Sequence, residues 1–153
     1  VPGIAIRTTF ITGFPGETEA DFEELCSFVR NVEFDRVGVF TYSDEESIPA
    51  CDLSDKVKRH VAERRKEKLM KEQARISKQR NQRLVGATVP VLFEGESTET
   101  ELLWQGRMQT QAPEIDGYVL INDNMTDKQP VAGDFVNVKI TAAYEYDLLG
   151  RIV

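Results

Sequence analysis

Residues 11–22 read ITGFPGETEADF. An apolar run ends, two glycines and a proline turn the chain, and acidic residues open an amphipathic pattern. Phosphate-binding loops share this order of strand, glycine turn and helix, so an anion site is the first possibility to test. The residues after the turn argue against it. Gly16 is followed by Glu17, Thr18 and Glu19, not by the Lys and Ser/Thr of a Walker loop. Carboxylates at the positive end of a helix repel a phosphate. Thr18 and Asp21 also have the spacing of a capping box, which consumes the free N–H donors.

Reading outward, IAIRTTFIT (4–12) is β-rich and buried in character. Phe22, Leu25, Cys26 and Val29 fall at i, i+3, i+4 and i+7, the stripe of an amphipathic helix. RVGVFTY (36–42) is a second strand, apolar on both faces as a parallel sheet requires. Strand, helix and strand make a βαβ unit. One such unit leaves open sheet edges and an uncovered face, so residues 1–53 are expected to be the end of a larger α/β domain.

A polar loop, 43–53, precedes a stretch without Gly or Pro, 54–83, that predicts a helix roughly 45 Å long. Its apolar positions are sparse: Val57, Val61, Ala62, Leu69 and Ile76. One narrow seam should pack and the rest should be solvated. From Leu84 the pattern changes to LVGATVPVLF, TELLWQGRMQT, GYVLI, DFVNVKIT and YDLLGRIV, five short strand candidates punctuated by glycines. Their number and length predict a small OB-like barrel over 84–153. Trp104 and Phe135 are read as core aromatics rather than as surface platforms for bases. The fold class is thus α/β followed by all-β, in three parts: 1–53, a connecting helix 54–83, and the barrel 84–153.

Charge is segregated along these parts. Residues 1–55 carry a balance of −9, residues 56–83 of +9 and residues 84–153 of −7, within a chain of net charge −7. Hydrophobic content of 41% and charged content of 29% describe a soluble globular chain. No apolar run approaches the roughly 20 residues of a membrane span, and VPGIAIRTTF lacks the basic n-region of a signal peptide. A cytoplasmic protein is expected. Cys26 and Cys51 have no metal-type spacing, and Cys26 reads as a small core residue. His60, in the charged helix, reads as solvated, so no metal site is expected in this chain.

IRTTFITGFPGETEADF, VGVFTYSDEESIPA, the basic helix, APEIDGYV and GDFVNVKITAAYEYDLLGRIV together resemble the methylthiotransferases. Those are radical S-adenosylmethionine (SAM) enzymes with a cluster domain, a central αβ barrel and a C-terminal TRAM domain. The resemblance covers nearly the whole chain and implies that it is the C-terminal part of such an enzyme. Ile11, Gly13 and Glu17 match the I-x-G-x-x-x-E portion of a strand motif that lies against the adenosine of SAM; Thr9 stands where the motif has its first glycine. The implied cofactor-binding set is Arg7, Ile11, Gly13, Glu17 and Phe40, with Arg7 expected to face the barrel interior. The family also implies two 4Fe–4S clusters, whose cysteine ligands are absent here, so this chain is expected to carry no catalytic residue and no activity alone.

Two branches of the family compete. Arg7-Thr8-Thr9-Phe10, Tyr42-Ser43-Asp44-Glu45-Glu46, APEIDG and EYDLLGR resemble the branch that modifies an aspartate of small-subunit ribosomal protein S-twelve. Ser47-Ile48 departs from that family's glycine-threonine. An acidic barrel is a poor surface for an RNA backbone and a good one for a basic ribosomal protein. Direct tRNA binding is therefore not expected. Two alternatives stay open: the branch that modifies a tRNA adenosine, and a ribosome-docking module without chemistry.

Overall fold

The computed structural model describes every residue except Pro2, Ser47 and Glu99, so the departure at Ser47 lies outside the described residues. The chain divides into two compact units, one of Ala5–Ile76 and one built on Ser77–Val153.

In the first unit, β1 (Arg7–Thr12) and β2 (Arg36–Thr41) pair in parallel across α1 (Glu19–Val32). The capping box is formed: the Asp21 N–H donates to Thr18 Oγ1 at 3.2 Å, and the Thr18 N–H donates to Asp21 Oδ2 at 2.8 Å. At the other end Glu33 adopts a left-handed conformation and its N–H closes onto the Val29 carbonyl. Phe22, Cys26 and Val29 of α1 are buried with Phe34, Val37 and Val39.

The long helix, α2 (Arg59–Gln82), begins five residues later than the pattern predicts. The preceding residues are used otherwise. The Asp55 carbonyl accepts from the Gly16 N–H at 3.0 Å, and Lys56 Nζ donates to Asp44 and to the Cys51 carbonyl. A 3₁₀ turn, Pro49–Asp52, occupies part of the loop read as irregular. Along α2, Ala62, Leu69 and Ile76 are buried as expected, but Arg65, Gln73, Ser77 and Asn81 are buried on the helix as well. The seam is half polar, and its polar members find partners: Gln73 Nε2 donates to the Phe34 carbonyl at 3.0 Å.

The second unit is a closed barrel of β3 (Thr88–Glu96), β4 (Trp104–Arg107), β5 (Val119–Asn124), β6 (Phe135–Ala143) and β7 (Leu148–Ile152). Their order is β3-β4-β5-β7-β6. β5 and β7 run parallel and the other pairs antiparallel, with β3–β6 closing the circle. The five expected strands all form with shifted bounds: β3 starts at Thr88 because 83–87 turn off α2, and β4 keeps only four residues of TELLWQGRMQT. Val91, Phe93, Val119, Ile121, Val138, Ile140, Leu148 and Ile152 fill the interior. Gly150 admits the close approach of β6, since a Cβ there would lie 2.5 Å from Val138 Cγ1. Trp104 packs edge-on against Phe93 at 5.9 Å, as a core aromatic. Phe135 corrects the other expectation: it is 80% exposed. It opens β6 opposite Leu92, one residue out of phase with the inward Val136 and Val138, so the pleat turns it outward.

Candidate functional site

The parallel register pairs Ile11 with Phe40 and Thr9 with Gly38. Register partners share a face, and alternate residues along a strand face opposite ways. One face, carrying Val37 and Val39 with Phe10 against them, packs on the helices. The other is open: Ile11 is 54% and Phe40 62% exposed. This corrects the reading of 4–12 as a mostly buried strand, since Ile4 and Ile6 are exposed too. Only one side of a two-stranded sheet is covered by α1 and α2. Arg7, four residues before Ile11, stands on the open face of β1 and is itself exposed.

Beyond Ile11 the chain turns at Gly13, and the structure shows what holds that turn. Gly13 has φ +80, and a Cβ there would meet the Ala62 Cβ at 2.3 Å. The glycine is therefore required by the approach of α2, whatever lies on the opposite face. Thr12, fully buried, donates its hydroxyl to the Ala62 carbonyl at 3.1 Å. Glu17 is committed to the turn as well. Its Oε2 accepts from the Gly13 N–H at 2.8 Å, and its Oε1 accepts from Arg65 at 2.6 Å. Arg65 donates also to the Glu17 carbonyl at 3.1 Å and to Glu19 Oε2 at 2.9 Å. Burial works to lower the Arg65 pKa, but hydrogen bonds to Glu19 and Glu17 outweigh it and raise the pKa, so the guanidinium stays charged. The hydrogen bond from Arg65 holds the Glu19 carboxyl below the usual carboxylate range.

At the carboxyl ends of β1 and β2, a groove of about 390 Å³ opens between Gly13, Tyr42, Asp44, Lys56 and Arg59. Its charged lining is partly paired, Lys56 to Asp44 at 2.6 Å. Of the five residues in the implied set, Arg7, Ile11 and Phe40 present side chains on the open face, whereas Gly13 and Glu17 form the turn behind it. Sequence reasoning missed Arg65, Thr12 and Ala62. A signal existed for Arg65, a charge lying three residues after Ala62 and four before Leu69 on the packing stripe.

Among the described residues no group of three or more His, Cys, Asp or Glu side chains is placed to hold a metal ion. Burial raises the thiol pKa of Cys26 and of Cys51. Two free cysteines do not fit an iron–sulfur cluster, which is held by four thiolates. An adenosine fits better, since adjacent apolar side chains stand open on one face beside a turn with a close backbone.

On the barrel, several acidic side chains already have partners. Glu94 pairs with Arg107 at 2.6 Å, Asp116 accepts from the Ala112 N–H, and Asp123 caps Asn124. Glu96 and Glu101 follow on β3 and the loop after it, and Glu99 lies outside the described residues.

Residues 85–153 match the TRAM domain family. Along its whole length the chain is 52% identical to the ribosomal protein uS12 methylthiotransferase RimO of Solibacter usitatus, covering 33% of that protein. It is 47% identical over all 153 residues to the RimO of Koribacter versatilis and 50% to that of Myxococcus xanthus, covering 30% and 31% of those proteins. Over all of its residues the chain is similar in sequence to these RimO proteins. It spans about a third of the length of these RimO relatives. The barrel of β3–β7 lies within the residues that match the TRAM domain family. No helix among the described residues is long and apolar enough to cross a membrane.

Proposed function

We propose that the protein carrying this chain is a radical SAM methylthiotransferase acting on the β-carbon of an aspartate in ribosomal protein uS12, in the cytoplasm. The observation that carries this reading is an overall identity of 47–52%, in alignments that span the whole chain, with relatives named for that activity. In this reading residues 1–53 complete a radical SAM barrel, 54–83 connect, and 84–153 recognise the substrate protein.

When bound, SAM and an iron–sulfur cluster supply the radical that an unactivated C–H bond requires. The residues of this chain bind and orient. Ile11 and Phe40 offer the adenine an apolar face, and Gly13 lets the backbone turn away beside it. Arg7, on the same face, offers a cation to the carboxylate of SAM. Glu17 holds the turn. The cluster ligands are supplied by other parts of the protein. The acidic barrel, −7 over residues 84–153, suits a basic ribosomal protein better than an RNA backbone.

The deciding experiment uses the full-length protein with its clusters reconstituted. It is offered uS12 and, separately, a tRNA, with mass spectrometry of both products. A methylthio group on an aspartate of uS12 and none on tRNA is the expected result. Modification of a tRNA adenosine transfers the protein to the other branch. No modification of either, with ribosome binding retained, leaves a docking module.

A further inference from the structure

The brace behind the glycine turn contains a residue that no motif assigns. Arg65, in the second turn of α2, is 4% exposed, although the other arginines of that helix are more accessible. Its two terminal nitrogens grip Glu17 and Glu19, and the second oxygen of Glu17 holds the Gly13 N–H. An unbroken line of charge-assisted bonds therefore runs from α2 through Glu17 to backbone two residues past Ile11. The Thr12 hydroxyl adds a second tie to α2 at Ala62.

Neither neighbouring element needs Arg65 in order to form. α1 is already started by the Thr18 capping box, and β1 pairs with β2 over six register positions. What depends on Arg65 is the orientation of Glu17, whose carboxylate is otherwise free to swing off Gly13. We infer that Arg65 is a positioning residue for nucleoside binding, fixing through Glu17 the turn that presents Ile11. This rests on the proposed reading that Ile11 and Phe40 meet the adenosine of SAM. It adds that α2 sets that face.

The test uses the full-length protein with reconstituted clusters. SAM affinity is measured by equilibrium dialysis, and hydrogen–deuterium exchange is followed over residues 11–17. Variants are Arg65→Met, Arg65→Lys, Glu17→Gln, the Arg65→Met/Glu17→Gln pair, and Arg75→Met at an exposed pair on the same helix. Arg65→Met should weaken SAM about tenfold, the scale on which outer partners of a bound group act, and speed exchange at Gly13. Arg65→Lys, keeping the charge but losing the fork, should fall between it and the wild type. The pair should bind no worse than Arg65→Met alone, because the two act in series, and Arg75→Met should bind as wild type. Wild-type affinity in Arg65→Met, or losses that add in the pair, overturns the inference. Should Arg65→Met fail to fold, Arg65→Lys decides: weakened binding with faster Gly13 exchange supports the inference, and wild-type values for both overturn it. Failure of the wild type to bind SAM refutes the nucleoside reading itself, and the inference with it.

Discussion

Gly13 is the residue at which a motif and a packing constraint coincide. Its positive φ, and the 2.3 Å that would separate an added Cβ from the Ala62 Cβ, leave no room for a side chain. Gly13→Ala should therefore destabilise the protein by at least about 2 kcal/mol, from left-handed strain plus overpacking. Chemical denaturation measures this, and a loss under half that size would mean that α2 yields easily. At Thr18, loss of the hydroxyl in Thr18→Ala should cost about 1 kcal/mol. Its partner Asp21 makes the cap pH-dependent. The backbone hydrogen bond from Thr18, then the side-chain one, holds the Asp21 carboxyl below its ordinary 3.8. A carboxylate with a depressed folded pKa stabilises above its unfolded pKa and loses that contribution as pH falls through the folded value. Wild type should thus exceed Asp21→Asn in Tm near neutrality, and the difference should shrink as pH drops below about 4. A difference that stays constant into strong acid contradicts the assignment.

At the scale of the element, α2 is the informative case. Buried apolar residues on it, Ala62, Leu69, Ala74 and Ile76, are matched by as many buried polar ones, Arg65, Gln73, Ser77 and Asn81. Leu69, fully buried, should lose about 2–5 kcal/mol on Leu69→Ala. Gln73→Ala should lose about 1–3 kcal/mol, because the buried Phe34 carbonyl loses its donor. The barrel strands supply a sharper contrast. Phe93 points inward and Phe135 outward, so Phe93→Ala should cost about 3–5 kcal/mol, while Phe135→Ser should stay within about 0.5 kcal/mol of wild type. Equal losses at the two positions would contradict the pleat seen in β3 and β6.

At the scale of the whole molecule, charge separates two kinds of binding. The barrel carries its −7 over eleven carboxylates, some of them paired. Such a field steers a basic partner and is screened over about 8–10 Å at moderate salt. The proposed nucleoside face works by contact instead, with Ile11 and Phe40 apolar and adjacent. In the full-length protein, raising the salt should weaken binding of uS12 progressively and leave SAM affinity nearly unchanged. Parallel loss of both would show that charge also governs the cofactor face.

Local pattern was enough for the strand–helix–strand order, the Thr18 cap and the five barrel strands, because each is written in spacing between near neighbours. Cys26 in the core of α1 was legible for the same reason. The start of α2 was not, since residues 54–58 have helical composition but are held in a turn by Gly16 and Asp44, both distant in sequence. The outward aim of Phe135 depends on a pleat phase shared with β3, and composition carries no phase. The roles of Glu17 and Arg65 lie furthest from the sequence. A motif could point to Glu17 as a ligand contact, but only the approach of a helix forty-eight residues later in the chain shows its carboxylate spent on Gly13 and Arg65. Buried charges are tolerable only with partners in place, and which partners are in place is decided by the tertiary structure.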